Sequence, residues 1–200
     1  MGSNERLFRS APLLGWEEAR KVATLLVEVV TPRDGYTIDH ALAIAELSRR
    51  VGVEFDLSEE VQEALALGAL LHDLGKLGVP EAVQEKSGPL TQQEWEIIKR
   101  HPDIGARMIE QIGCLRRVAQ MIRHHHERYD GSGYPDGLEA EEIPLTSRIV
   151  AATDAYDVMV RGRPYGESRS PTEAIGELMG GAGSQFDAEV VAALARVAAP

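Results

Sequence analysis

The spacing of apolar residues constrains this chain more than any other feature. Val22, Leu25, Leu26 and Val29 recur at helical intervals between Trp16 and Val30. A second helix is expected from Thr37 to Val51, with Ala41, Ile44, Ala45 and Ser48 beside His40 on one face. No convincing period-two run, the mark of a strand, occurs in the sequence.

Local stop and start signals divide the helices. Thr31-Pro32-Arg33-Asp34-Gly35 is expected to end the first and Gly52 the second. Asp56 to Glu59 and Thr91 to Glu94 have the form of capping boxes. The apolar helix after Asp56 reaches His72-Asp73, and Gly75 suits its C-terminal cap. Residues 76–90, with Gly78, Pro80, Gly88 and Pro89, read as loop. His101 precedes Pro102, which pushes its backbone off helical geometry. A helix near Leu115 carries Val118, Met121 and Ile122 into His124-His125-His126. After the long loop 127–143, Pro144 opens a helix from Leu145 to about Val160. Ser170 starts another, Gly180 to Gly183 breaks it, and Asp187 caps a last one. The expectation is one all-α domain, with residues 1–30 as leader and first helix and 31–197 as the main unit.

Composition excludes several function classes. Apolar residues make up 44% of the chain but aromatic ones only 5%, so Leu, Val, Ile and Ala must fill the core. The net charge of −11 argues against a general DNA or RNA binder. It leaves room for a small phosphate ligand, because bound metal ions supply positive charge locally. One cysteine, Cys114, cannot close an internal disulfide, which fits a cytoplasmic protein. No apolar run is long enough to span a membrane.

The six histidines carry the chemistry: His40, His72, His101 and the triplet 124–126. Neutral imidazole is the commonest protein metal ligand. One ion could be held by His40, His72, Asp73 and Asp154. The second oxygen of Asp73, with His101, His125 and His126, could hold another. Two ions about 3.5–4 Å apart clamp the attacking and leaving oxygens of a phosphoryl transfer and lower the pKa of water. Taken singly, each residue has a plainer reading. His72-Asp73 can be a helix-end hydrogen bond, His40 a satisfied core histidine, and Asp154 a partner of Arg148 or Arg161. Lys76 can be a solvated loop lysine, and Glu127 a surface charge or a carboxylate orienting a ligand. His124 is the weakest of the triplet, since three consecutive helical residues cannot share one face.

As an ordered set, these residues resemble the HD-GYP family of bacterial metal-dependent phosphodiesterases, a branch of the HD superfamily. The resemblance rests on His40, then His72-Asp73-Leu74-Gly75-Lys76 through Pro80, Lys86 to Thr91, and His101. It continues through His125 to Pro135, Ile143-Pro144, Arg148 to Val150, Asp154 to Asp157, Arg163-Pro164-Tyr165 and Phe186-Asp187. It spans roughly residues 30–195. It implies an all-α HD-domain helical bundle with an ordered Gly-Tyr-Pro loop. It also implies hydrolysis of the second messenger cyclic di-GMP to linear pGpG, and in some members to GMP. Metal ligands would be His40, His72, Asp73, His101, His125, His126 and Asp154. Asp73 and Lys76 would serve catalysis, and Lys76 and Arg163 would contact substrate. Fe or Mn would be the expected ions, with Zn, Ni or Co as alternatives. Some members hold a third ion with a glutamate where this chain has Tyr36, so two ions are expected here. Gly166 stands where a basic residue often follows Arg-Pro-Tyr. The family also suggests another role, a binding module that docks a diguanylate cyclase or a sensor or receiver protein. Degenerate members usually lose ligands, and this chain keeps all seven, which favours the enzyme. A di-iron oxygenase on the same fold fits Lys76 and Arg163 less well.

Overall fold

Helix α2 (Ile38–Glu54) lies against α3 (Glu59–Leu71) at the centre of the helical packing. The computed structural model describes residues 16–34, 38–113, 115–162 and 168–198. The remaining α-helices are α1 (Trp16–Asp34), α4 (Glu81–Gln84), α5 (Gln92–Ile98), α6 (His101–Glu110) and α7 (Ala119–His124). They are followed by α8 (Leu145–Arg161), α9 (Pro171–Gly180) and α10 (Ala188–Ala198). Among the described residues there is no strand, only two isolated bridges, so the all-α expectation holds.

The core is aliphatic, as the composition requires. Ile44, Leu65, Leu71, Ile109, Ile122, Ile149 and Leu194 are fully enclosed. Ala19, Ala23 and Val27 bring α1 into the same core, so the first helix packs with the rest. Helix α8 crosses α2, while α6 packs on α7 and on the 3-10 turn Leu74–Gly78. These three contacts determine where the histidines meet.

Several boundaries differ from expectation. α1 continues through Pro32 to Asp34; a proline near a helix end costs one backbone hydrogen bond without ending the helix. α2 runs past Gly52, which is a packing residue: a Cβ there would meet Leu65 Cδ2 at 3.1 Å. The box at Asp56 does not form. α3 starts behind Ser58, and Asp56 takes a left-handed φ of 50° to turn the chain between α2 and α3. α3 stops at Leu71, with His72 as its cap, and residues 74–78 form the 3-10 turn instead of loop. Part of the expected loop 76–90 is α4. His101 opens α6 with Pro102 in its first turn, so the proline starts a helix instead of kinking one. The box expected at Thr91 is complete, and Ser170, expected to start α9, closes a second one with Glu173. Asp187 accepts from the Glu189 N–H at 2.8 Å, as a capping residue should.

Candidate metal centre

All the ligand-type residues but one sit at or beside helix ends. His40 is in the first turn of α2, and His72 and Asp73 follow α3. His101 begins α6, and His125 and His126 follow α7. Asp154 comes from within α8. They form two groups. Asp73, His101, His125 and His126 each offer a ligand atom within 4.8 Å of the others, and so do His40, His72 and Asp154.

Asp73 joins the groups. Its Oδ1 is 3.2 Å from His101 Nε2, and its Oδ2 is 3.2 Å from His72 Nε2. This is possible because the backbone leaves α-helical geometry at Asp73, with φ −95° and ψ 4°. Asp154 Oδ1 lies 3.5 Å from His40 Nε2 and 3.8 Å from His72 Nε2. Lys76 Nζ donates to Asp73 Oδ2 at 2.8 Å.

The second ring nitrogens fix the tautomers. His72 Nδ1 donates to the Ala69 carbonyl at 2.7 Å, His101 Nδ1 to Ile98 at 2.8 Å, and His125 Nδ1 to Ile122 at 2.6 Å. A carbonyl only accepts, so each Nδ1 carries a proton and Nε2 points into the cluster. His40 achieves the same through a side chain, donating from Nδ1 to Asp157 Oδ2 at 2.7 Å.

Burial and charge divide the histidines. Burial disfavours the His72 cation, yet Asp73 and Asp154 outweigh it and raise the pKa to about 9. Burial opposes the rise at His40 too, but its bonds to Asp154 and Asp157 win. Burial, with His72 and His101 nearby, pushes His125 down to about 3. Burial and His125 push His126 well below its usual value. Asp73 stays ionised against burial because Lys76, His72 and His101 surround it. Asp154 is held below the usual range, against burial, chiefly by His40.

The donor set suits divalent cations. Imidazole and carboxylate together match Fe, Mn, Zn, Ni or Co. His72 Nε2 is buried and makes no hydrogen bond, although Asp73 Oδ2 is close. An inward-facing ring nitrogen set beside two carboxylates is a place where a divalent cation would take over from the proton.

All seven expected ligand residues thus converge, with Lys76 among them. His124 stays outside the groups, bonded through Nε2 to Asp136 Oδ2 at 2.9 Å. Glu127 holds the following loop, accepting N–H bonds from Asp136 at 2.7 Å and Gly137 at 3.1 Å. The sequence reading missed Asp157 as the orienting partner of His40; its position three residues after Asp154 was the available signal. The Gly-Tyr-Pro motif singles out Tyr134 but not its contact with a ligand residue: its ring centroid lies 5.0 Å from that of His126. Arg163, Gly166, Tyr36 and Cys114 lie outside the described residues.

A helical bundle whose helix ends bring two His/Asp groups onto one shared carboxylate defines a class of metal-site proteins. A family model described as "HD domain" matches residues 10–190, and the chain belongs to the HD domain family. It is 39% identical over 184 residues to the cyclic di-GMP phosphodiesterase response regulator RpfG of Xanthomonas campestris. That match covers 90% of this chain and 48% of the relative. It is 38% identical over 162 residues to the 3'3'-cGAMP-specific phosphodiesterase 1 of Vibrio cholerae, covering 81% of this chain and 38% of that one. The chain therefore spans less than half the length of these relatives. The solved structure of Bd1817, an HDG"Y"P protein of Bdellovibrio bacteriovorus, superposes with a TM-score of 0.67 at 19% identity. It covers 97% of this chain and 67% of that one, and its likeness is one of fold.

Proposed function

We propose that this protein is a dinuclear metal-dependent phosphodiesterase that hydrolyses cyclic di-GMP to linear pGpG. The observation that carries it is Asp73, whose two oxygens face His72 on one side and His101 on the other. One ion would be held by His40, His72, Asp73 and Asp154, the other by Asp73, His101, His125 and His126. Fe or Mn is our first choice of ion for this donor set. Such ions would supply Lewis acidity and a water made acidic enough to attack at neutral pH.

The chain's own groups do the rest. Asp73, kept ionised by its neighbours, holds both halves of the site in one geometry. Lys76 is an ammonium anchored 2.8 Å from Asp73 Oδ2, where it can stabilise charge on the reacting phosphate or protonate the leaving oxygen. Arg163 is proposed to grip the other phosphate or a base as a forked donor. A second messenger used inside the cell, and a chain with one cysteine, suit a cytoplasmic site of action. The names of the relatives, one for cyclic di-GMP and one for 3'3'-cGAMP, support the substrate class.

The test is to load the protein with Mn or Fe without oxygen and follow both cyclic dinucleotides by product analysis. Cleavage of cyclic di-GMP in preference to 3'3'-cGAMP is expected. Protein with two bound ions that cleaves neither would favour a module that docks a diguanylate cyclase or a sensor protein.

A further inference from the structure

His101 and the pair His125–His126 must meet on one ion, yet they start a helix and follow a helix 24 positions apart in ring-to-ring pairing. Besides the packing of α6 on α7, a charged bridge links the two helices close to these ligands. Asp103 follows His101 by two residues on α6. Arg123 precedes His125 by two on α7. Arg123 Nη1 donates to Asp103 Oδ1. Its Nε and Nη2 form a fork on Asp136, each at 2.8 Å. Asp136 also accepts from His124 Nε2 at 2.9 Å. Its backbone N–H is held by the buried Glu127 at 2.7 Å. Two residues before Asp136, Tyr134 lies against His126.

We propose that Arg123 is a positioning residue: with Asp103 and Asp136 it sets the approach of His101 to His125 and His126, and so the metal affinity of that half of the site. Guanidinium suits the role because its fork serves one carboxylate while the remaining nitrogen reaches another. The bridge is partly exposed, with Arg123 at 28% and Asp136 at 36% side-chain accessibility, so its loss should not unfold the chain. The other half has separate supports. His40 is held by Asp157 and His72 by Ala69, from α8 and α3. An effect carried by Arg123 should therefore fall on one ion.

The inference rests on the proposed dinuclear centre. The experiment measures Co(II) binding by calorimetry and visible absorbance in the wild type, Arg123→Met and Asp136→Asn. His40→Ala and His126→Ala serve as references that assign each ion to its half. Both test variants should lose affinity for the ion at His101, His125 and His126 by about tenfold to a hundredfold, the usual effect of removing a group that orients ligands. Affinity at His40, His72 and Asp154 should stay within error. Equal weakening of both ions, or no change at either, overturns the proposal. Should Arg123→Met not fold, the nearly isosteric Asp136→Asn decides the matter by the same split. Wild type that binds no cobalt removes the dinuclear reading and this inference with it. Wild type with two ions and variants that match it removes this inference alone.

Discussion

Gly75 lies directly against His101: a Cβ on Gly75 would stand 1.9 Å from the His101 carbonyl oxygen and 2.5 Å from the Gly105 nitrogen. The 3-10 turn that carries Asp73 and Lys76 therefore packs backbone to backbone on the first turns of α6. Even a methyl group would force the two apart, and backbone cannot rotate out of the way as a side chain can. Gly75→Ala should destabilise the fold by about 3 kcal/mol, at the upper end for overpacking. For a chain of this size that lowers Tm by about 6–12 °C. Calorimetry checks it, and an unchanged Tm would mean that the turn and α6 do not touch this closely.

Asp73 faces both groups, so its loss should be felt twice. Asp73→Ala should leave neither ion bound at wild-type affinity, whereas His40→Ala should weaken chiefly one. Elemental analysis after gel filtration separates the cases. Full occupancy in Asp73→Ala would show that its two oxygens do not serve two ions.

Metal uptake should depend on pH in one direction. In the metal-free protein His72 titrates at about 9, so near neutrality it carries a proton that an incoming cation must expel. Affinity at that half should rise by about tenfold per pH unit between pH 7 and 9, then level off. His125 titrates at about 3 and has no such proton to lose in this range. Competition with a chelator at several pH values measures the slope. A flat profile for the ion at His40, His72 and Asp154 would contradict the charge assigned to His72.

Asp157 is expected to act through His40. Asp157→Asn keeps the shape but weakens the acceptor for the Nδ1 proton, and should cost about tenfold to a hundredfold in affinity at that half. The ion at His101 should be unaffected. Equal loss at both sites would point to a general disturbance of α8.

Lys76 divides binding from turnover. Lys76→Ala should keep its metals and lose about tenfold to a thousandfold in kcat, the range for a group that stabilises charge or moves a proton. Metal-replete Lys76→Ala with wild-type kcat would end the catalytic role proposed for it.

Residue types and their order made the ligands legible. Any one His or Asp near a helix end has an ordinary capping explanation, but seven of them arranged in this order left few alternatives. Packing between distant segments was not legible. Gly75 suits a helix cap by every local rule; only the approach of α6, whose His101 carbonyl and Gly105 nitrogen crowd it, shows that it is a contact point. Gly52 reads locally as a stop for the same reason, while Leu65 on the next helix explains it. Asp56 offered a local capping pattern, but the tight return from α2 to α3 claimed its backbone first. Arg123 and Asp136 are ordinary surface residues by periodicity, and their meeting depends on how the loop folds back over α7.

The three histidines that donate to backbone carbonyls have a further property. Ala69, Ile98 and Ile122 each contribute only their main-chain oxygen, one turn before the ring that uses it. Any amino acid at those positions brings the same oxygen. The orientation of His72, His101 and His125 is thus insulated from drift in the residues that hold them, so long as each helix ends where it does. His40 has no such insurance, because its anchor is the side chain of Asp157. As sequences diverge, the half of the site around His40 should lose its geometry by single substitutions, and the half around His101 and His125 by shifts in helix ends.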